Sequence, residues 1–242
     1  MIKTIQFSFQ EKTYSLQYPF SPLMDEVVME ILQKNEYPLL PFLQGGQGVV
    51  LDIGANIGCT SLIFSMSYPS TTVYAFEPSR STFEFLQLNT KNLPNVRCFN
   101  YGLYNKNCNA RLYTGKLASV TASIGNSTHN SSEFEIVELR KLSTFIADNG
   151  LDRILLIKID AEGSEVPILH DIEHLLEGVE AIMLEYHSEQ DRLEIDHLLA
   201  TRFALFSGNV RHVHRGNLVY VSKDTLAAKT DWDQVAIPHP EL

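Results

Sequence analysis

No stretch of this 242-residue chain stays apolar for the roughly 18 to 20 residues that a bilayer-spanning helix requires. The opening MIKTIQFSFQEK alternates apolar and polar residues where a secretory signal would carry a continuous apolar block, so a cytoplasmic protein is expected. Cysteine is scarce: Cys59, Cys98 and Cys108 show no C-x-x-C spacing, which argues against a disulfide framework or a zinc knuckle. Basic charge is short as well. Nineteen Lys and Arg against 29 Asp and Glu leave a formal charge of −10, and no basic cluster overrides that sign. Nucleic-acid phosphates would meet net repulsion instead of releasing counterions, so no nucleic-acid partner is expected. Asn126-Ser127-Thr128 and Asn130-Ser131-Ser132 fit a glycosylation sequon, but without an export signal they read as a polar loop. Internal repeats and a dividing linker are also missing, which leaves one α/β domain as the expectation.

What is present is an ordinary globular balance, 44% hydrophobic and 20% charged, in a chain long enough to bury one substantial core. Residues 2–18 read as a β-hairpin: Ile5, Phe7 and Phe9 alternate with polar residues, Gln10-Glu11-Lys12 can turn, and Tyr14, Leu16 and Tyr18 alternate again. Met24 to Lys34 has helical spacing, with Val27, Val28, Ile31 and Leu32 on one face. From Val49 the rhythm becomes short apolar runs alternating with helical stretches, the pattern of a parallel sheet covered by helices. Strands are expected at 49–53, 72–76, 96–101, 154–159, 180–185, 203–206 and 217–222, and helices near 58–67, 80–92, 142–149, 164–176 and 189–201. The organisation expected is an N-terminal hairpin and helix (1–45), a core (46–223) with a Ser- and Asn-rich insertion at 103–138, and a tail (224–242).

The strongest chemical signal is VVLDIGANIGCTS, Val49 to Ser61. An apolar strand runs into Asp52, and Gly54 and Gly58 flank a tight turn into a helix whose first N–H groups face any ligand there. Glu77 ends the next strand in TVYAFEPS, 25 residues past Asp52, where its two oxygens could accept both hydroxyls of a ribose; Pro78 stops the strand. The loop is G-x-x-x-G and lacks the G-x-G-x-x-G that seats a pyrophosphate. An acidic floor suits a cationic cofactor better, and S-adenosylmethionine carries a sulfonium and an ammonium. A third signal is LLIKIDAEGSEVPIL, Leu155 to Leu169, which delivers Asp160, Glu162 and Glu165 within six residues. These carboxylates could orient a hydroxyl, take its proton or hold a cation such as Mg²⁺, while Glu162 and Glu165 also suit a helix start through the dipole. Glu185 and His187 close an apolar strand in LEYH, and an imidazole there has a pKa in the range of a general base. His212 and His214 alternate in VRHVHR without an obvious third metal ligand, so no metal ligand set is assigned.

DIGANIG, FEP, LIKIDAEGSE and AIMLEYH, in this order and spacing, resemble the FkbM family of methyltransferases over roughly residues 27–222, and Glu36-Tyr37 resembles the family's usual lead-in. The resemblance implies a class I methyltransferase (Rossmann-like) fold, a seven-stranded, mostly parallel sheet with helices on both faces. It also implies methyl transfer from S-adenosylmethionine to an oxygen of a sugar, polyketide or other small metabolite. The cofactor set is then expected to be Asp52, Gly54, Asn56, Gly58, Glu77, Pro78, Gly102 and Asp160. Asp160, Glu162, Glu185 and His187 are the candidates at the reaction centre. Where the family more often shows Thr-Leu-Asp, this chain has Lys141-Leu142-Ser143, and Ser143 is expected to cap the helix instead. An NAD(P)-dependent oxidoreductase on a similar sheet and a non-catalytic adenosylmethionine-binding module are the alternatives. The acceptor's pocket is expected between the insertion and the N-terminal hairpin.

Overall fold

The computed structural model describes residues 1–33, 36–113, 123–124 and 134–228. The two sequons and the last fourteen residues of the tail lie outside these. Strands β1 (Ile2–Phe9) and β2 (Lys12–Pro19) pair antiparallel as the alternation predicts, and Gln10 and Glu11 both take positive φ in the two-residue turn. Phe7, Phe9, Leu16 and Tyr18 are buried beneath the hairpin beside helix α1 (Pro22–Gln33), whose Met24, Val28 and Leu32 face the same core.

The core alternates as expected: β3 (Val49–Ile53), α2 (Cys59–Ser67), β4 (Thr72–Phe76), α3 (Arg80–Thr90) and β5 (Val96–Phe99) come first. After the insertion follow α4 (Leu142–Asp148), β10 (Ile154–Ile159), α5 (Glu165–Ile172), β11 (Val179–Tyr186), α6 (Glu189–Leu199), β12 (Phe203–His212), β13 (Arg215–Ser222) and α7 (Lys223–Ala228). The sheet order is β12-β13-β11-β10-β3-β4-β5, parallel except where β13 runs antiparallel to both β11 and β12. Alternate residues feed two cores. Val50 and Val73 face α1 and α2, while Leu51, Ile53, Tyr74 and Phe76 face the side packed by α4, α5 and α6. The chain leaves β3 in one direction and β10 in the other, so the crevice between their carboxyl ends is where a ligand is expected in such a sheet.

Several boundaries differ from the sequence reading. The strand expected at 96–101 stops at Phe99, because Asn100 turns and donates its side-chain N–H to the carbonyls of Glu77 and Pro78. The insertion, whose sequence has β-like pieces at Ala110 to Tyr113 and Phe134 to Val137, is a small sheet of its own, ordered β6 (Gly102–Tyr104), β9 (Phe134–Lys141), β7 (Cys108–Tyr113) and β8 (Ser123–Ile124). Helix 164–176 tightens to a 3₁₀ turn from Glu173 to Gly178. Strand 203–206 runs on to His212 as a sheet edge whose outer residues are exposed and carry no burial pattern. Ser143 does not cap α4 from within. Its N–H and hydroxyl both donate to Asp171 of α5, at 2.7 and 2.9 Å, so the missing acid is supplied across space.

Gly54 shows how tightly β3 and β10 approach: its φ is +73°, and a Cβ there would lie 1.8 Å from the Asp160 carbonyl oxygen. Gly54→Ala should cost on the order of 3 kcal/mol or abolish folding, since strained φ and a backbone clash coincide. Urea unfolding measures it, and a parental midpoint would contradict this packing.

Candidate active site

Asp52 and Lys158 sit side by side on β3 and β10 in direct register, both fully enclosed. The Lys158 Nζ lies 3.4 Å from Asp52 Oδ1 and donates to the Gly54 carbonyl at 2.6 Å. Thr60 and Ser61, in the first turn of α2, donate to Asp52 Oδ2 at 2.7 and 2.5 Å. Burial works against the Lys158 ammonium, yet Asp52 and Asp160 hold its pKa above the usual lysine value. Asp52, expected as an acidic floor, is enclosed behind the loop: its Oδ2 accepts both hydroxyls, its Oδ1 faces Lys158, and it does not line the cavity. Gly58, at φ +87°, has no room for a side chain: a Cβ there would lie 2.8 Å from Leu86 Cδ1 and 3.3 Å from Thr90 Cγ2.

In front of that pair opens a cavity of about 830 Å³ including its mouth, at the carboxyl ends of β3, β4 and β10. Gly54, Asn56, Glu77, Pro78, Gly102, Asp160, Glu162 and Glu185 of the expected set line it. Glu77 accepts the backbone N–H of Asn56 on Oε2 at 3.0 Å and that of Ser79 on Oε1 at 2.8 Å. Burial outweighs these bonds and pushes the Glu77 carboxyl up to about 7. Asn56, at φ +50°, keeps a buried side-chain oxygen with no hydrogen-bond partner among the described residues.

At the β10 end, burial raises the Asp160 carboxyl to about 7 against the pull of Lys158 at 3.8 Å. Tyr37 donates its hydroxyl to Asp160 Oδ2 at 2.9 Å. Glu165, read either as a chemical carboxylate or as a helix-start acid, closes the turn by accepting the N–H groups of Ala161 and Gly163. His187 lies among three carboxylates: Nε2 is 3.3 Å from Glu162 and 3.5 Å from Glu185, and Nδ1 is 3.4 Å from Glu165. Burial alone would lower its pKa, but those carboxylates raise it far above the ordinary imidazole value. Three carboxylates so close favour the charged ring over the neutral one that a general base needs. Burial would raise Glu185, yet His187 and the two-pronged grip of Arg215 hold it down at about 2.

Asp160, Glu185 and His187 bring one donor atom each within 4.8 Å of one another, the arrangement that could take Mg²⁺. The imidazolium and the Arg215 pairing both work against a divalent cation there. His212 and His214 do not share a strand face: His212 ends β12 and His214 sits in the turn, its N–H donated to His212 Nδ1.

The sequence reading named Glu36 and Tyr37 as a lead-in without a role and missed Lys158, Arg211 and Arg215. Arg211 reaches from β12 to Glu30 of α1 and to Glu36, closing the cavity's far wall, and Asn217 donates to Glu36 at 3.1 Å. Only Lys158 carries a sequence signal, as the one charge inside an otherwise apolar strand.

A doubly wound sheet in this order, with an acid-lined cavity at its switch point, is the class I methyltransferase fold. The chain belongs to the methyltransferase FkbM domain family, whose pattern matches residues 52–206. Methyltransferase 1 of Beauveria bassiana is 29% identical over 168 residues, 60% of this chain and 65% of that protein. Hexuronic acid methyltransferase AglP of Haloferax volcanii is 26% identical, over 63% of this chain and 61% of its own length. The 31-O-demethyl-FK506 methyltransferase FkbM of Streptomyces tacrolimicus is 27% identical, over 78% of this chain and 79% of its own. The chain thus spans just under two thirds of the first two curated relatives. Among solved structures, the fibrillarin pre-rRNA processing protein of Methanococcus jannaschii matches with a TM-score of 0.52 at 10% identity, covering 90% of this chain and 82% of that one, a likeness of fold. Among the described residues no helix is long and apolar enough to cross a membrane.

Lys158→Met should destabilise the protein by about 3–5 kcal/mol, because it strands the Asp52 charge in the interior. Adding Asp52→Asn should recover part of that loss. Denaturant unfolding of the single and double variants reads it, and additive losses would show that the pair is not coupled.

Proposed function

We propose that this protein transfers a methyl group from S-adenosylmethionine to a hydroxyl oxygen of a small, oxygen-rich acceptor. The observation that carries the reading is the cavity between β3 and β10, where Glu77, Asp160 and the partnerless Asn56 oxygen offer negative charge and acceptors to a cation. The fit follows from donor chemistry: Glu77 would accept the ribose hydroxyls on the lone pairs its two backbone bonds leave free, and the Asn56 oxygen and Asp160 suit an ammonium or sulfonium. When bound, adenosylmethionine supplies an electrophilic methyl on its sulfonium. The chain's contribution is to hold the acceptor oxygen in line with that methyl, worth about 7–11 kcal/mol, and to take the hydroxyl proton on a carboxylate. Asp160 and Glu162, both on the cavity wall, are the groups assigned to that end. The relatives named for hexuronic acid and for 31-O-demethyl-FK506 support an oxygen acceptor, and the acid-rich wall with a charge of −10 supports a partner other than nucleic acid.

Calorimetry tests this reading. Adenosylmethionine and its demethylated product should bind in the micromolar range, and NADH should not bind. Glu77 and Asp160 are both half-protonated near pH 7, and a bound cation favours their ionised forms. Binding should therefore release protons, and affinity should rise by roughly tenfold to a hundredfold between about pH 6 and pH 8. NADH binding without adenosylmethionine binding would overturn the reading, and an affinity that falls with pH would remove the carboxylates from it.

A further inference from the structure

Glu162 is built to be somewhere it would not stay by itself. Its φ is +49°, and Gly163 follows at +96°, so two successive residues are left-handed in the turn that joins β10 to α5. A non-glycine residue held there persists only where its surroundings fix it. The backbone on either side is fixed by Glu165, which accepts the Ala161 and Gly163 N–H groups. The Glu162 carboxylate itself faces His187, at 3.3 Å, and the cavity.

We propose that His187 is a lasting imidazolium that acts as a positioning residue, holding the Glu162 carboxylate at the cavity wall so that Glu162, not His187, receives the acceptor's proton. The inference rests on the methyl-transfer reading only for the last step. In that step the acceptor's O–H bond breaks toward a Glu162 oxygen as the new C–O bond forms and the C–S bond breaks with its electron pair going to sulfur.

The ring's surroundings come from three elements. Glu162 lies on the turn, Glu165 opens α5, and Glu185 is on β11; Asp160 adds its field, and Arg215 of β13 pairs with Glu185 while its charge also reaches Glu162 and Asp160. Both ring nitrogens are buried, and neither makes a hydrogen bond among the described residues, so the ring meets its three carboxylates through charge. A neutral imidazole would present a lone pair to one of these carboxylates in a site with little water, which is repulsive. The doubly protonated ring gives each nitrogen a favourable partner. Arg215 takes both Glu185 oxygens, so the freedom left to the cluster is that of Glu162, the member at the cavity.

NMR of histidine-labelled protein tests the charge without any acceptor, with the His187 resonances assigned by their loss in His187→Gln. Both nitrogens should stay protonated between about pH 5 and pH 9, and Glu162→Gln should move the Nε2 resonance more than Nδ1. A His187 titration near its ordinary value, or Glu162→Gln leaving Nε2 unmoved, would overturn the proposal. Turnover is the second readout, on an acceptor found in a panel of hydroxylated sugars and metabolites. His187→Gln should lower kcat at least tenfold while adenosylhomocysteine affinity stays within threefold and the acidic limb of the pH profile persists. Loss of that limb would make His187 the base. If His187 stays charged but the protein binds neither adenosylmethionine nor adenosylhomocysteine, the clamp on Glu162 stands and the methyl-transfer reading falls.

Discussion

The ion pair between Asp52 and Lys158 is the constraint on which the rest of the site depends. Two charges enclosed between β3 and β10 are expensive to bury and stay only because each finds several partners: Thr60 and Ser61 for the acid, the Gly54 carbonyl for the ammonium. That arrangement ties three features that must hold a common geometry, namely the glycine turn, the start of α2 and the end of β10. Gly54 can approach the Asp160 carbonyl because it has no side chain, and Lys158 then draws Asp160 toward the same point. A hydrophobic pair in these positions would give a stable sheet without fixing where the loop ends.

From that anchor the electrostatics divide the cavity in two. Glu77 and Asp160 sit where burial lifts them to about 7, so each is sensitive to an incoming cation. Glu162, Glu165 and Glu185 are instead bound into a fixed lattice by His187 and Arg215. The first pair suits a charged ligand that comes and goes, the second a wall that must not move during group transfer. The N-terminal helix and the β12–β13 hairpin complete this wall through Arg211, Glu30 and Glu36, and Tyr37 orients Asp160. Glu30, Glu36, Tyr37, Arg211 and Arg215 all lie outside residues 52–206, the span that matches the family.

The parts legible in the sequence were those with a strong local code. β3, β4 and β10 begin and end where apolar runs meet turn residues, because strands buried on both faces show no alternation to blur their edges. The glycine turn, Glu77 and Asp160 could be read because strand ends mark positions in space as well as in sequence. Asp52 was located, but nothing local says whether a strand-end acid faces a cavity or a buried lysine on a strand far along the chain. The same limit hid Arg211 and Arg215: an arginine at a hairpin tip is ordinary until the fold brings it against Glu30, Glu36 or Glu185. His187 was read with the pKa of an isolated imidazole, and three acids from separate segments reversed it. Strands β6 and β8, at three and two residues, are too short for any periodic signal.

The central claim is that the cavity between β3 and β10 seats adenosylmethionine with its reactive end toward the β10 carboxylates. A crystal structure with adenosylhomocysteine bound measures this most directly. The account requires the ribose hydroxyls on Glu77, the sulfur on the side of Asp160 and Glu162, and Asp52 still bonded to Thr60, Ser61 and Lys158. Ligand found outside this cavity, or bound with its sulfur turned toward Pro78 and Gly102, would contradict it.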